Sequence, residues 1–200
     1  MKQMLLSLTM ACGLATQLYA GGDIVPVDIE PLEKSLHHDV ENNFYIVLKG
    51  LYIMGDDVDH GHGITLDGEG DYGFGFDMGY RLGNGFAIEY DFSYATNTVT
   101  ETDVHHHTEH AGATYYTHAL DLVYTYHLSH HYGLFFKAGY VYEKEKIDDL
   151  HIDSSDNGLV YGIGLEYMMN DHYALLVEYE GSSIDGPRGD GIFVGVQYNF

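Results

Sequence analysis

Residues 70–95 read GDYGFGFDMGYRL, then GNG, then FAIEYDFSYA, and their alternation decides the fold. In the first segment Tyr72, Phe74, Phe76, Met78, Tyr80 and Leu82 alternate with Asp71, Gly73, Gly75, Asp77, Gly79 and Arg81. In the second, Phe86, Ile88, Tyr90, Phe92 and Tyr94 alternate with Ala87, Glu89, Asp91, Ser93 and Ala95. Successive side chains of a strand point to opposite faces, so a period of two signals strand. One face is large and apolar; the other is small or charged. Gly83-Asn84-Gly85 is a tight-turn sequence, which makes the two segments an antiparallel hairpin.

Working outward, the same period predicts eight strands, at 44–54, 70–82, 86–95, 114–126, 133–143, 158–168, 173–181 and 191–200. The first is the least regular, since Lys49 shares a face with Tyr45, Val47 and Leu51. The connections alternate in length. Those at 55–69, 97–113, 144–157 and 184–190 are long, and those at 83–85, 127–132 and 169–172 are short. Long loops on one side and short turns on the other are the pattern of a transmembrane barrel. Strands of roughly 10 residues, tilted about 45°, cross the hydrocarbon layer, and closure pairs every backbone group.

On this parity no Asp, Glu, Lys or Arg falls on the large apolar face, and His118 alone interrupts it. The opposite face carries Lys49, Asp71, Asp77, Arg81, Glu89, Asp91, Asp121, Lys137, Glu143, Glu166, Glu178 and Glu180. A soluble barrel would turn the bulky face inward, and eight strands leave little room for so many aromatics. The expected fold class is therefore all-β, an eight-stranded antiparallel up-and-down transmembrane barrel with these charges as a lumen cluster.

Composition agrees. The 200 residues include 31 Asp+Glu against 8 Lys+Arg, a formal charge of −23, which disfavours nucleic acid as a partner. The 25 Gly and 19 Tyr suit turns and strands. Residues 1–20 carry Lys2, a short apolar run and a small residue at Ala20, the layout of a secretory signal peptide. A lipoprotein cysteine at Cys12 is the alternative, but Thr9-Met10-Ala11-Cys12 lacks the usual leading Leu. Cleavage after Ala20 removes the single cysteine and with it disulfide or thiolate chemistry. Residues 21–43, with Pro26 and Pro31, are expected to form a periplasmic lead into the barrel at 44–200.

The chain ends Val194-Gly195-Val196-Gln197-Tyr198-Asn199-Phe200. Together with the strand pattern and loop alternation, this ending resembles the eight-stranded bacterial outer-membrane β-barrels of the OmpA-like and opacity-type porin family. The resemblance implies an outer-membrane location, with membrane lipid and lipopolysaccharide as surroundings. It also implies that Tyr198 and Phe200 form the assembly signal read by the barrel-assembly machinery. Longer members add a peptidoglycan-binding domain, which is not expected here.

Four features invite a chemical reading. The lumen charges are either a filling of ion pairs or the lining of a narrow, cation-preferring pore; wide channels need about sixteen strands. His105, His106, His107 and His110, with His60 and His62, have spacings that could hold a transition metal or simply solvate a loop. His127-Leu128-Ser129 superficially matches a lipid-deacylating pair, but its predicted place is a periplasmic turn. The four long loops hold 15 acids, which suits a recognition surface or a solvated rim. The expected function is a structural or surface-interaction protein without a cofactor or enzymatic activity. The alternative is the narrow pore, and an outer-membrane lipid-modifying enzyme comes third.

Overall fold

The computed structural model describes residues 43–61, 63–103, 105, 107–147 and 152–200. The signal peptide and nearly all of the periplasmic lead lie outside the described residues. The elements are β1 (Phe44–Ile53), β2 (Asp57–Gly61), β3 (Ile64–Gly68), β4 (Asp71–Gly83), β5 (Phe86–Thr102), β6 (Thr108–His127), β7 (Tyr132–Ile147), β8 (Ile152–Met168), β9 (Tyr173–Ser182) and β10 (Gly191–Asn199).

Eight of these close into an antiparallel ring in the order β5, β4, β1, β10, β9, β8, β7, β6 and back to β5. The seam between the first and last strands runs from Tyr45 opposite Asn199 to Ile53 opposite Gly191. At its end the Phe200 N–H donates to the Phe44 carbonyl at 3.2 Å. The two rings meet with centroids 5.3 Å apart. Phe200 also stands edge-on to Tyr198 at 4.9 Å. Between β4 and β5, Gly83, Asn84 and Gly85 all adopt positive φ, the conformation this turn sequence favours. The turns after β6 and β8 are built alike. Ser129 Oγ accepts from the N–H groups of His131 and Tyr132, and Asn170 Oδ1 accepts from those of His172 and Tyr173.

The face assignment follows the expected parity. Leu48 (66%), Tyr72 (73%) and Leu120 (61%) stand on the outside, whereas Val47 (1%) and Ile53 (0%) are buried within. Two differences stand out. First, the strands run further than the apolar alternation indicated. β5 and β6 pair as far as Thr102 opposite Thr108, and β7 and β8 as far as Ile147 opposite Ile152. The expected loops 97–113 and 144–157 thus shrink to 103–107 and 148–151. The outward residues of the extensions, such as Thr96, Thr98 and Thr100, are polar but β-branched, so they suit a strand that has left the apolar layer. The expected loop 55–69 contains the β2–β3 hairpin, which pairs onto β5 beyond the end of β4.

Second, the inner face is not only small and charged. Tyr45, Tyr115, Phe135 and Phe193 are all buried inside. Two of them fit because glycine stands opposite. Tyr45 is in register with Gly79 and Phe135 with Gly164. A Cβ at either glycine would run into the facing ring. β1 displays the resulting layers in order. Tyr45 and Val47 join an apolar cluster toward the short-turn end, with Phe135 and Leu176. Lys49 follows, and then Leu51 and Ile53 join a second apolar cluster near the long-loop mouth, with Val99, Tyr115, Ile147 and Phe193.

Gly79→Val should therefore overpack the interior against Tyr45, a cost of about 1–3 kcal/mol. The expected outcome is a smaller fraction of folded barrel in unheated gel samples than for wild type. The same substitution at Gly50, where a Cβ meets nothing within 4 Å, should leave that fraction unchanged.

Candidate functional site

The charges expected in the lumen come from many strands, and closure brings six of them to one level between the two apolar layers. Lys49 comes from β1, Asp77 from β4, Glu89 and Asp91 from β5, Lys137 from β7 and Glu178 from β9. Lys49 Nζ lies 2.6 Å from Asp77 Oδ1 and donates to Asp91 Oδ2. It also sits 4.4 Å above the Phe193 ring. Lys137 Nζ lies 2.6 Å from Glu89 Oε1, 3.2 Å from Glu178 Oε1, 3.4 Å from Asp91 Oδ2 and 4.0 Å from Asp77 Oδ2. Two ammonium groups therefore hold four carboxylates. Tyr45 adds a hydrogen bond to Glu89 Oε2 at 2.8 Å. The side chains of Lys49 and Lys137 are 0% and 3% exposed. Buried charge is tolerated only when paired and hydrogen-bonded, and this network supplies both.

The remaining predicted residues surround the centre. Toward the short turns, Arg81 donates to Asn199 Oδ1 at 2.8 Å and lies 4.6 Å over the Tyr45 ring. Gln197 links Glu166, at 3.2 Å, to Asn199, at 2.9 Å. Toward the mouth, Thr117 donates to Glu143 Oε2 at 3.2 Å. Asp121 is buried, and neither of its carboxylate oxygens has a hydrogen-bond partner among the described residues. Asp71 does not join the cluster: it is half-buried at the start of β4, where its Oδ1 accepts from the Tyr72 N–H at 2.7 Å.

Sequence reasoning missed Arg188. It belongs to the expected loop 184–190, yet it is buried in the lumen, with Nε 3.5 Å from Glu143 Oε2 and a terminal nitrogen 3.9 Å from Glu180 Oε1. The backbone around it explains how. The Pro187 carbonyl accepts from Asn97 Nδ2 of β5 at 3.0 Å. The N–H groups of Met54 and Gly55 donate to the carbonyls of Asp190 and Arg188. This segment touches β5, β7, β9 and the end of β1, so it crosses the mouth of the ring and carries Arg188 inward. A lone cation in an otherwise acidic loop was the available signal.

The histidine and serine candidates fall elsewhere. Asp103 Oδ1 accepts from the N–H groups of both His105 and His107. Its other oxygen is 4.0 Å and 3.8 Å from their Nδ1 atoms. His110 is instead on β6, bonded to Thr100 Oγ1 at 2.9 Å. The placement of His106 and His62, and the side chain of His60, lie outside the described residues. Among the described residues no three His, Cys, Asp or Glu side chains gather as a metal site. Ser129 Oγ is engaged in its turn, as described above. In the β2–β3 hairpin Asp57 stands opposite Asp67, and the neighbouring negative charge and side-chain hydrogen bond of Asp67 raise the Asp57 pKa above the ordinary carboxylate value.

The sequence model of the family described as outer membrane protein beta-barrel domain matches residues 10–200. Among solved structures, the outer membrane protein OprG from Pseudomonas aeruginosa is similar at a TM-score of 0.64 and 14% identity, over 80% of this chain and 96% of its own. Neisserial surface protein A follows at 0.57 and 15%, over 79% and 97%. Ail of Yersinia pestis, solved in a phospholipid nanodisc, is similar at 0.50 and 18%, over 79% and 99%. No curated protein sequence matches the chain.

Lys137→Met would leave the surrounding carboxylates without their shared cation. Its unfolding free energy in detergent, from urea titration, should fall by about 3–5 kcal/mol. For the hairpin, the Asp57–Asp67 repulsion is present at neutral pH and is relieved as falling pH protonates Asp57. Asp67→Asn should return the Asp57 pKa toward the ordinary carboxylate range, measured by NMR titration of its side chain.

Proposed function

The chain belongs to the outer-membrane protein β-barrel family and resides in the bacterial outer membrane, and from that premise we propose that it is a non-conducting surface-interaction protein. The barrel serves as a rigid anchor that presents the extended β5–β8 wall and the acidic loops to the outside. The observation that carries this reading is the closed interior. The lysine-centred cluster fills the lumen at mid-depth, apolar layers lie to either side of it, and the 184–190 segment crosses the mouth. An eight-stranded ring has no spare width to route ions around such a filling. Catalysis is not part of the reading, since Ser129 Oγ, the one candidate nucleophile singled out from the sequence, is used as a turn acceptor.

One observation favours the second reading, a narrow cation-preferring pore. Among the described residues the buried acids are Asp77, Glu89, Asp91, Asp121, Glu143, Glu166, Glu178 and Glu180, whereas Lys49, Lys137 and Arg188 are the buried bases. A path through that interior would favour cations. Planar-bilayer recording separates the two. The folded wild-type protein is expected to produce no stable unitary steps. Reproducible steps with cation selectivity would replace the first reading with the second.

A further inference from the structure

The outside of the barrel is not uniform just above its apolar band. Among the described residues, Lys144 and Lys146 are the only lysine or arginine side chains on the outer wall. Lys49, Lys137 and Arg188 are buried in the lumen, and Arg81 is half-buried and bonded to Asn199. The outward series of β7 ends Tyr140, Tyr142, Lys144, Lys146. Across the ladder on β6, Lys144 faces Tyr116 and Lys146 faces Thr114, while Tyr142 faces His118.

These registers also give a depth. On β6 the outward aromatics begin at Tyr126, near the short turn, and end at Tyr116; beyond it come Thr114, Gly112 and His110. The interval from Tyr116 to Tyr126 matches the roughly 9–11 residues that a tilted strand needs to cross the hydrocarbon layer. Tyrosines gather at the two interfaces of such barrels, so Tyr116 marks the outer headgroup level. Lys144 is at that level, Lys146 is one pleat above it, and His118 is one pleat below.

His118 is the polar interruption of the lipid-facing wall. An ionisable group in such a place is costly without partners and points to function. Its Nδ1 is bonded to the Tyr90 hydroxyl at 2.7 Å, and its ring packs against Phe92 at 5.1 Å and Tyr142 at 6.5 Å. That arrangement leaves Nε2 for a second partner. Lys144 contacts Asp153 at 3.3 Å, but the two side chains are 39% and 64% exposed, and such a pair is weak and easily exchanged. Asp148 and Asp149 follow in the sequence and lie outside the described residues. Elsewhere on the long-loop side, Asp56, Asp57, Asp59, Asp67 and Glu69 make the rim acidic.

We propose that Lys144, Lys146 and His118 form a binding site for the anionic phosphate headgroup of an outer-leaflet lipid. The lysines engage phosphate at the headgroup level. The imidazole donates from Nε2 to an acyl-linkage carbonyl just beneath. The site rests on the membrane placement of the barrel and is independent of whether the lumen conducts.

Native mass spectrometry of the folded protein in detergent tests this, with bisphosphorylated lipid A and phosphatidylcholine as competing probes. Wild type should retain lipid A in preference to phosphatidylcholine. Lys144→Gln/Lys146→Gln should reduce that preference by about tenfold, in line with the attraction of juxtamembrane lysines to anionic lipid. Lys144→Arg/Lys146→Arg should keep it, and Asp153→Asn should strengthen it. Heat-modifiable gel migration establishes that each variant is folded; Lys144 lies in an exposed pair and its loss should not affect folding. An unchanged preference in the folded Gln variant would overturn the proposal. So would complete displacement of lipid A by inorganic phosphate, because the site would then recognise a free anion rather than a lipid.

Discussion

Inside a bilayer no water pairs with a backbone amide, so every strand needs a bonded neighbour on both sides. The rest of this structure depends on that demand. It forces β1 to find β10 across the full length of the chain, from Tyr45 opposite Asn199 to Ile53 opposite Gly191. Two of the three short turns that join the strands are closed locally by a side chain, Ser129 in one and Asn170 in the other. Once the ring is closed, the apolar outer surface that would be a liability in water becomes the surface the membrane requires.

Closure at eight strands then sets a narrow interior. Charge is excluded from the lipid-facing part of the outer wall, so the acids of β4, β5, β7 and β9 are directed inward, where they are costly unless paired. Lys49 and Lys137 resolve this by each serving several carboxylates. The space for a few inward aromatics comes from glycine across the ladder, as with Tyr45 and Gly79. The glycine content and the buried charge are thus two consequences of one radius.

Above the bilayer the constraint relaxes but the strands continue. β5 to β8 carry on with threonine, lysine and histidine facing outward, while small apolar residues such as Ala111, Ala113 and Val99 pack inside. Among the described residues the scarce cations are divided between two places. Some neutralise the lumen, and two stand at the headgroup level of one wall. The rim at β5 carries the acidic β2–β3 hairpin, whose facing Asp57 and Asp67 repel each other.

The alternation at residues 70–95 was enough to show strands, the hairpin between them and the face each side chain takes. It worked because bilayer and lumen impose opposite polarity on neighbouring residues, so the period of two is written in composition. Most of the inward charges could be named for the same reason, Glu180 among them, although Asp71 does not join the cluster and Arg188 was not named. Their partners could not, since Lys137 meets Glu89 and Glu178 from strands far apart in the chain. The strand ends were not legible either, because outside the apolar layer the outward residues lose their contrast with solvent-facing loop. Arg188 is the clearest case: a lone cation in an acidic loop was the one local signal in residues 184–190, and it names no partner. Only the closed ring, which places β5, β7 and β9 around one axis, turns that segment inward and gives its cation a carboxylate to meet.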